Sequence, residues 1–287
     1  MASMDGKIVL VTGATSGIGY YTAQEIARMG ATIIVHGRTE EKCLATISSI
    51  RLGTGSDKLG YLVADLSSQA QIRQAAQDFN GKYDHLDVLV NNAGAFFLFR
   101  RLSMDGIEMT FAVNHLAYFL LTNLLLEALK ASSSARIVNV SSGSHLNQHL
   151  DFDDLQFRRF YRPFCAYGRS KLANVLFTYE HSRRLEGSHI TANALTPGMV
   201  ATDIWKKVVP WLNPLISPVM EHIGQPPLQG AQTSIYLATS PEVEGVSGKY
   251  FAHLHEVRSS PESHDTETAK RLWQMSLQMV GLSEGDI

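Results

Sequence analysis

Thr12-Gly13-Ala14-Thr15-Ser16-Gly17-Ile18-Gly19 follows directly on the apolar run Ile8–Val11, and a helical pattern begins at Gly17. Glycines at these positions let a chain turn sharply out of a strand and bring its backbone close to a charged group. A helix beginning there aims unpaired N–H groups and the positive end of its dipole at the same spot, which suits a pyrophosphate. The spacing is Gly-x-x-x-Gly-x-Gly rather than Gly-x-Gly-x-x-Gly, so the loop alone also reads as a tight strand-to-helix connection. Its surroundings decide between the two.

Downstream, short β-rich runs alternate with helical patterns. Ile8–Val11, Thr32–Val35, Gly60–Val63, Val88–Val90, Arg136–Val140 and Ile190–Ala194 read as strands. Gly17–Met29, Glu40–Ile50, Ser68–Phe79, Ile107–Lys130 and Cys165–Leu185 read as helices between them. A helix over Leu228–Thr239, a strand over Lys249–Phe251 and a C-terminal helix follow. The last begins at Asp265 as cap and carries Leu272, Met275 and Met279 on one face. Apolar strands separated by helices predict a parallel sheet covered on both faces, and right-handed crossovers make it doubly wound. The expected fold is a single α/β domain of the Rossmann type. Two segments break the rhythm: the polar and aromatic stretch Gly143–Phe164, and Met199–Pro227, rich in proline and apolar residues. The second leaves the sheet's ligand-binding edge and is expected to be a lid over an apolar substrate, with a helical tail from residue 261 to 287.

Composition narrows the function. With 287 residues, 45% of them hydrophobic and 18% charged, the chain can bury a substantial core. A net charge of −2 gives no footprint of nucleic-acid binding. Two cysteines suit a reducing compartment, and Met1 to Lys7 shows no long apolar stretch. The apolar segment Phe111–Leu129 is interrupted by Asn114, His115, Asn123 and Glu127, so it predicts a buried helix rather than a membrane span. The expectation is a cytoplasmic protein without an integral membrane segment. Cover for so apolar a helix would come from the helix Cys165–Leu185 and from a second subunit in a homo-oligomer.

Gly37-Arg38 ends the second strand. An acid there would accept ribose hydroxyls, whereas an arginine with no acid accommodates a 2′-phosphate, so the expected cofactor is NADP. Asp65, followed by Leu66, either bonds the adenine amino group or caps the next helix. Asn91-Asn92-Ala93-Gly94 puts small and amide-bearing residues at the fourth strand's ligand edge, or simply makes a turn.

Tyr167 and Lys171 lie four apart on a predicted helix and so share a face. An ammonium near a phenol lowers its pKa, and a phenol so tuned exchanges a proton with a carbonyl oxygen while hydride moves. Ser141-Ser142 ends the fifth strand next to this helix. Asn114, inside an apolar helix, is unfavourable there and costly to bury without partners.

Together, Thr12-Gly-x-x-x-Gly-Ile-Gly19, Asn91-Asn-Ala-Gly94, Asn114, Ser142, Tyr167-x-x-x-Lys171 and Pro197-Gly198 resemble, in order, the short-chain dehydrogenase/reductase family. The resemblance spans roughly residues 5–255. It implies that Tyr167 is the acid/base, and that Lys171 lowers its pKa and holds the nicotinamide ribose. Ser142 would orient the carbonyl oxygen, and Asn114 would hold a water connecting Lys171 to solvent. The expected cofactor contacts are Gly13, Thr15, Ser16, Gly17, Ile18 and Gly19 in the loop, and Arg38, Asp65 and Leu66 beyond it. Further contacts come from Asn92, Ala93, Gly94, Tyr167, Lys171, Pro197, Gly198 and Thr202. Within the family, Tyr167-Gly-Arg-Ser-Lys-Leu-Ala-Asn174, the long insertion and Gly248-Lys-Tyr-Phe251 resemble the retinol dehydrogenase-like group. Two readings set it apart from that group: no hydrophobic N-terminal anchor of the kind many members carry is expected, and Thr196 stands where a histidine often precedes Pro-Gly. The expected activity is hydride transfer between NADP(H) and a carbonyl or alcohol carbon of an apolar small molecule. The alternatives are a light-dependent double-bond reductase of the protochlorophyllide type and a dinucleotide-sensing regulator without turnover. With eleven histidines, His253-x-His255 is the closest pair, and no third ligand is spaced to make a metal site.

Overall fold

The computed structural model describes residues 3–198 and 225–286. β1 (Ile8–Val11), β2 (Thr32–Gly37) and β3 (Leu59–Val63) build outward in one direction. The chain then returns to the other side of β1 and adds β4 (Val88–Asn91), β5 (Ala135–Val140), β6 (Ile190–Thr196) and β7 (Tyr250–Ala252). The strand order is β3-β2-β1-β4-β5-β6-β7-β8, parallel throughout except for the two-residue β8 (His255–Glu256), which runs antiparallel on the β7 edge. The direction of building reverses between β1 and β4, and that switch point is where such sheets bind ligands. Both the glycine loop after β1 and Asn91–Gly94 open there.

Helices on both faces explain why the strands are apolar without alternation: Val9, Leu10, Val11, Ile33, Ile34, Val35 and Val88 to Val90 are all buried. One face carries α1 (Gly17–Arg28), α2 (Glu40–Thr54) and, after residue 225, α7 (Pro227–Thr239). The other carries α3 (Gln69–Asn80), α4 (Ala117–Leu124), α5 (Leu126–Ala131), α6 (Pro163–Arg184) and α8 (Thr266–Val280). Asp265 caps α8 as expected, accepting from Glu267 N at 3.1 Å. The apolar face of α8 is shifted from the expected one: Leu272, Trp273, Leu277 and Val280 are buried, and Met275 and Met279 only flank them.

The segment expected as one helix over Ile107–Lys130 is broken. A helical turn at Met109–Phe111 runs into a π-helical turn, Ala112–Leu116, before α4, and Leu125 interrupts the path to α5. A π turn lets one residue leave the regular hydrogen-bond ladder. The residue at its centre is Asn114. A run that is apolar all round carries no phase, so the sequence offered no sign of the bulge. Nor does this segment need a second subunit for cover. Tyr118, Phe119, Leu120 and Leu121 are buried within the chain, where Trp273 of α8 packs on Phe119 with ring centroids 4.9 Å apart.

Candidate active site

The glycine loop is packed so tightly against β4 that side chains would not fit. A Cβ on Gly13, whose φ is +64°, would lie 2.9 Å from Ala93 Cα, and one on Gly19 would lie 2.5 Å from the Gly13 carbonyl oxygen. Neither backbone contact can yield. Hydrogen bonds fix the loop from both sides. Thr12 Oγ1 accepts from Asn92 N at 2.8 Å and Ala93 N at 3.0 Å, while Asn92 Nδ2 donates to the Thr12 carbonyl at 2.7 Å. From β2, His36 Nδ1 accepts from Gly13 N at 3.2 Å. Sequence reasoning missed His36; a lone histidine inside the apolar run Thr32–Gly37 was its only signal. Burial pushes the His36 imidazole down to about 4, so it stays a neutral acceptor.

Ser16 is the exposed cap residue of α1, yet its side chain makes no capping bond to the helix. Arg38 is exposed at the end of β2, and a Cβ on the preceding Gly37 would lie 2.6 Å from Thr15 Cγ2, so β2 ends directly against the loop. Close-approach glycines, an uncapped helix start and an exposed cation together fit a dinucleotide. Asp65 turns its Oδ1 to Ser67 N at 2.9 Å, and the side chain that caps α3 is Ser68. Of the two readings of Asp65, helix capping therefore falls to another residue. The Leu66 side chain is buried in the core.

The catalytic candidates meet where β4, β5 and α6 converge. Ser141 is buried and donates to the Lys171 carbonyl at 2.8 Å, whereas Ser142 is partly open, its Oγ accepts from Ser144 N at 3.2 Å, and it is close enough to Tyr167 to pull the phenol down. Lys171 Nζ lies 5.7 Å from the Tyr167 ring centroid and donates to the Val140 carbonyl at 3.0 Å. Gly94 leaves room for it: a Cβ there would stand 3.4 Å from Lys171 Nζ. Burial dominates both titrating groups. It pushes the Tyr167 phenol up to about 12 against the lowering pull of Ser142, and it pushes Lys171 down to about 7. The phenol is thus raised by desolvation, and the one group pulling it down is Ser142 rather than the Lys171 ammonium.

Asn114 is wholly buried with its amide in use. Oδ1 accepts from Ala95 N at 2.7 Å, and Nδ2 donates to the Ala95 carbonyl at 2.9 Å and to Ser170 Oγ at 3.0 Å. Ser170 Oγ donates in turn to the Tyr167 carbonyl at 2.6 Å. The amide thus ties the π turn to the Gly94–Ala95 loop and to the helix that carries Tyr167 and Lys171. Sequence reasoning missed Ser170, and marked Thr196 only as a departure before Pro-Gly; its Oγ1 accepts from Gly143 N at 3.2 Å and Gly198 N at 3.3 Å. Thr196 so joins the Ser142 loop to Pro197-Gly198 at the end of β6. Phe96 lies 5.8 Å from the Tyr167 ring and 5.2 Å from that of Phe164, giving the pocket an aromatic wall. The insertion supports this wall: Leu155 and Phe157 are buried, and Tyr161 donates to the Phe97 carbonyl at 2.9 Å. Thr202 and the expected lid up to residue 224 lie outside the described residues. Among the described residues no helix is long and apolar enough to cross a membrane, and no three His, Cys, Asp or Glu side chains gather as a metal site.

A doubly wound sheet with a glycine loop, Ser142, Tyr167 and Lys171 at its switch point defines a class, and comparison with known proteins agrees. The family model described as short chain dehydrogenase matches residues 7–213, and the chain belongs to that family of oxidoreductases. Among individual relatives it is similar to human retinol dehydrogenase 13, 44% identical over 98% of this chain and 86% of the relative. It is also similar to human polyprenol dehydrogenase, 43% identical over 96% and 86%. An uncharacterised protein from Mycobacterium paratuberculosis superposes with a TM-score of 0.79 at 31% identity, covering 99% of this chain and 96% of that one. A short chain dehydrogenase from Escherichia coli CFT073, solved in complex with NADPH, gives 0.68 at 26% identity over 86% and 96%.

Proposed function

We propose that the protein transfers a hydride between NADP(H) and a carbonyl or alcohol carbon of an apolar substrate, with Tyr167 as the acid/base. The observation that carries this reading is the Ser142–Tyr167 pair one helical turn from buried Lys171, beside Gly94 and across the switch point from the glycine loop. The bound dinucleotide would supply or take the hydride. Its pyrophosphate would rest on Gly13–Gly19 at the start of α1, Arg38 would receive a 2′-phosphate, and Asn92–Gly94 and Lys171 would line the nicotinamide end. The NADPH complex of the Escherichia coli relative supports the same choice of cofactor.

The protein's own part is to hold the substrate oxygen and move one proton. Ser142 Oγ and the Tyr167 hydroxyl converge on that oxygen, and a phenol pushed up to about 12 is protonated at neutral pH, ready to protonate a forming alkoxide. Lys171, pushed down to about 7, can exchange a proton near neutrality and return one to Tyr167. Asn114 keeps α6 and the Gly94–Ala95 loop in register behind them. The aromatic wall of Phe96 and Phe164 favours an apolar substrate, as do relatives named for retinol and polyprenol. The test is initial rates of NADPH and NADH oxidation with retinal, long prenyl aldehydes and short polar aldehydes. Turnover of the long apolar carbonyls with NADPH is expected. Equal use of NADH, or a preference for the short polar series, overturns the cofactor or the substrate half of the reading.

A further inference from the structure

His145 lies three residues beyond Ser142, is wholly buried, and has no part in the chemistry described above. Its Nδ1 lies 2.7 Å from the Ser142 carbonyl oxygen, and its Nε2 lies 3.2 Å from the backbone N–H of Ser260. One tautomer satisfies both contacts: Nδ1–H donates to Ser142, and bare Nε2 accepts from Ser260. The Tyr250 ring packs against the imidazole, with centroids 4.9 Å apart. Ser260 is itself fixed. Ser263 Oγ donates to its carbonyl at 2.6 Å, and Ser259 Oγ is bonded to both Ser263 Oγ and Tyr179 OH at 2.7 Å. Tyr179 belongs to α6, the helix of Tyr167 and Lys171.

The Ser142–Gly143 peptide is consequently held at both its polar ends, the oxygen by the His145 ring at 2.7 Å and the His145 backbone N–H at 3.2 Å, and the N–H by Thr196. Fixing that peptide plane leaves the Ser142 side chain one backbone direction from which to reach Tyr167. We propose that His145 is a positioning residue which, with Thr196, clamps the Ser142–Gly143 peptide and aims the Ser142 hydroxyl at the substrate oxygen. This rests on the reading of Ser142 given above. A histidine that merely filled the core would have no need to spend its one N–H donor on the carbonyl of this serine. The C-terminal segment around Ser260 thereby becomes part of the support of the active site.

Three variants separate this role from simple packing. His145→Ala and His145→Gln both lose the donor at the Nδ1 position, whereas the amide N–H of His145→Asn stands close to it and restores the bond to Ser142. A misaimed reacting group costs up to ~100-fold, so kcat in His145→Ala and His145→Gln should fall by ~10- to 100-fold at unchanged NADPH affinity. His145→Asn should recover most of the loss. If His145→Ala does not fold, Thr196→Val removes the other end of the clamp and should show a comparable loss of kcat, with any change in NADPH affinity traced to its second bond, to Gly198 N. Wild-type kcat in the folded fraction of His145→Ala or Thr196→Val overturns the inference. So do equal losses in Ala, Gln and Asn that follow the loss of Tm. Ser142→Ala is the control. If it turns over normally, the reading of Ser142 falls and the inference with it; if it is inactive while His145→Ala is fully active, only the inference falls.

Discussion

The glycine loop and the catalytic pocket sit a few ångströms apart at the same edge of the sheet, yet they are held in different ways. The loop is fixed by adjacent strands. Its bonds go to the backbone and to Asn92 and His36, and its shape follows from the absence of side chains at Gly13 and Gly19. The catalytic pocket is fixed by side chains brought from remote parts of the chain: Ser170 to Asn114, Ser260 to His145, Thr196 to Gly143. The loop presents donors and a cation to a ligand. The pocket instead holds titrating groups in a dry place, and burial moves both away from their ordinary values. Binding and chemistry should therefore be separable by mutation.

The largest expected effect tests that separation directly. Tyr167→Phe keeps the ring against Phe96 and removes only the transferable proton. General acid–base catalysis contributes ~10²–10⁴-fold, so kcat should drop by that much while NADPH titration gives an unchanged Kd. Retention of a tenth of the activity would mean that another group delivers the proton.

Acid sensitivity probes both regions together. His36 behind the loop is pushed down to about 4, and His115 and His181 beneath the pocket to about 3, each by burial. All three fold neutral, while the unfolded chain takes up their protons near pH 6.5. The stability they contribute is complete above pH 6.5 and is lost as pH falls toward 4 and below. With three protons bound on unfolding, stability near pH 5 should fall by about 4 kcal/mol per pH unit. Denaturant titrations at pH 4.5 to 7 measure this slope, and His36→Gln should remove about a third of it. A flat profile would show that these histidines are not neutral in the fold.

The third effect belongs to the loop alone. Charge-assisted bonds from Arg38 to a 2′-phosphate are worth roughly ten- to a hundredfold in affinity, so Arg38→Ala should weaken NADPH by that factor and leave NADH nearly unchanged. Equal weakening of both would place Arg38 away from the discriminating phosphate.

The same contrast explains what could be read from the sequence. The fold class, the seven parallel strands and the glycine loop follow from local patterns, because each depends on residues close together in the chain. Tyr167 and Lys171 were legible for the same reason, being one turn apart. The π turn at Asn114 was not, since a uniformly apolar run shows no period to be broken. The roles of His145, Ser170, Thr196 and His36 were not legible because their meaning lies in a partner: the Ser260 N–H that fixes His145 is 115 residues away. The second strand of the C-terminal edge, β8, is only two residues long and too short to pattern.

The smallest effect asks whether the support beneath the pocket is catalytic or only structural. His115 follows Asn114 on the π turn, and its Nε2 is paired with Ser276 Oγ of α8 at 2.9 Å in a fully buried position. Ser276→Ala removes little volume but leaves that nitrogen buried without its partner, which should cost ~1–2 kcal/mol. For a chain of this length that is a fall in Tm of roughly 2–4 °C. Asn114 keeps its own bonds to Ala95 and Ser170 in this variant, so kcat and the Kd for NADPH should stay within error of wild type. Thermal unfolding and single-turnover rates on the same preparation decide the matter. A kcat loss larger than the loss of folded protein would mean that α8 steers Asn114 through the π turn, and that the support reaches one layer further into the chemistry.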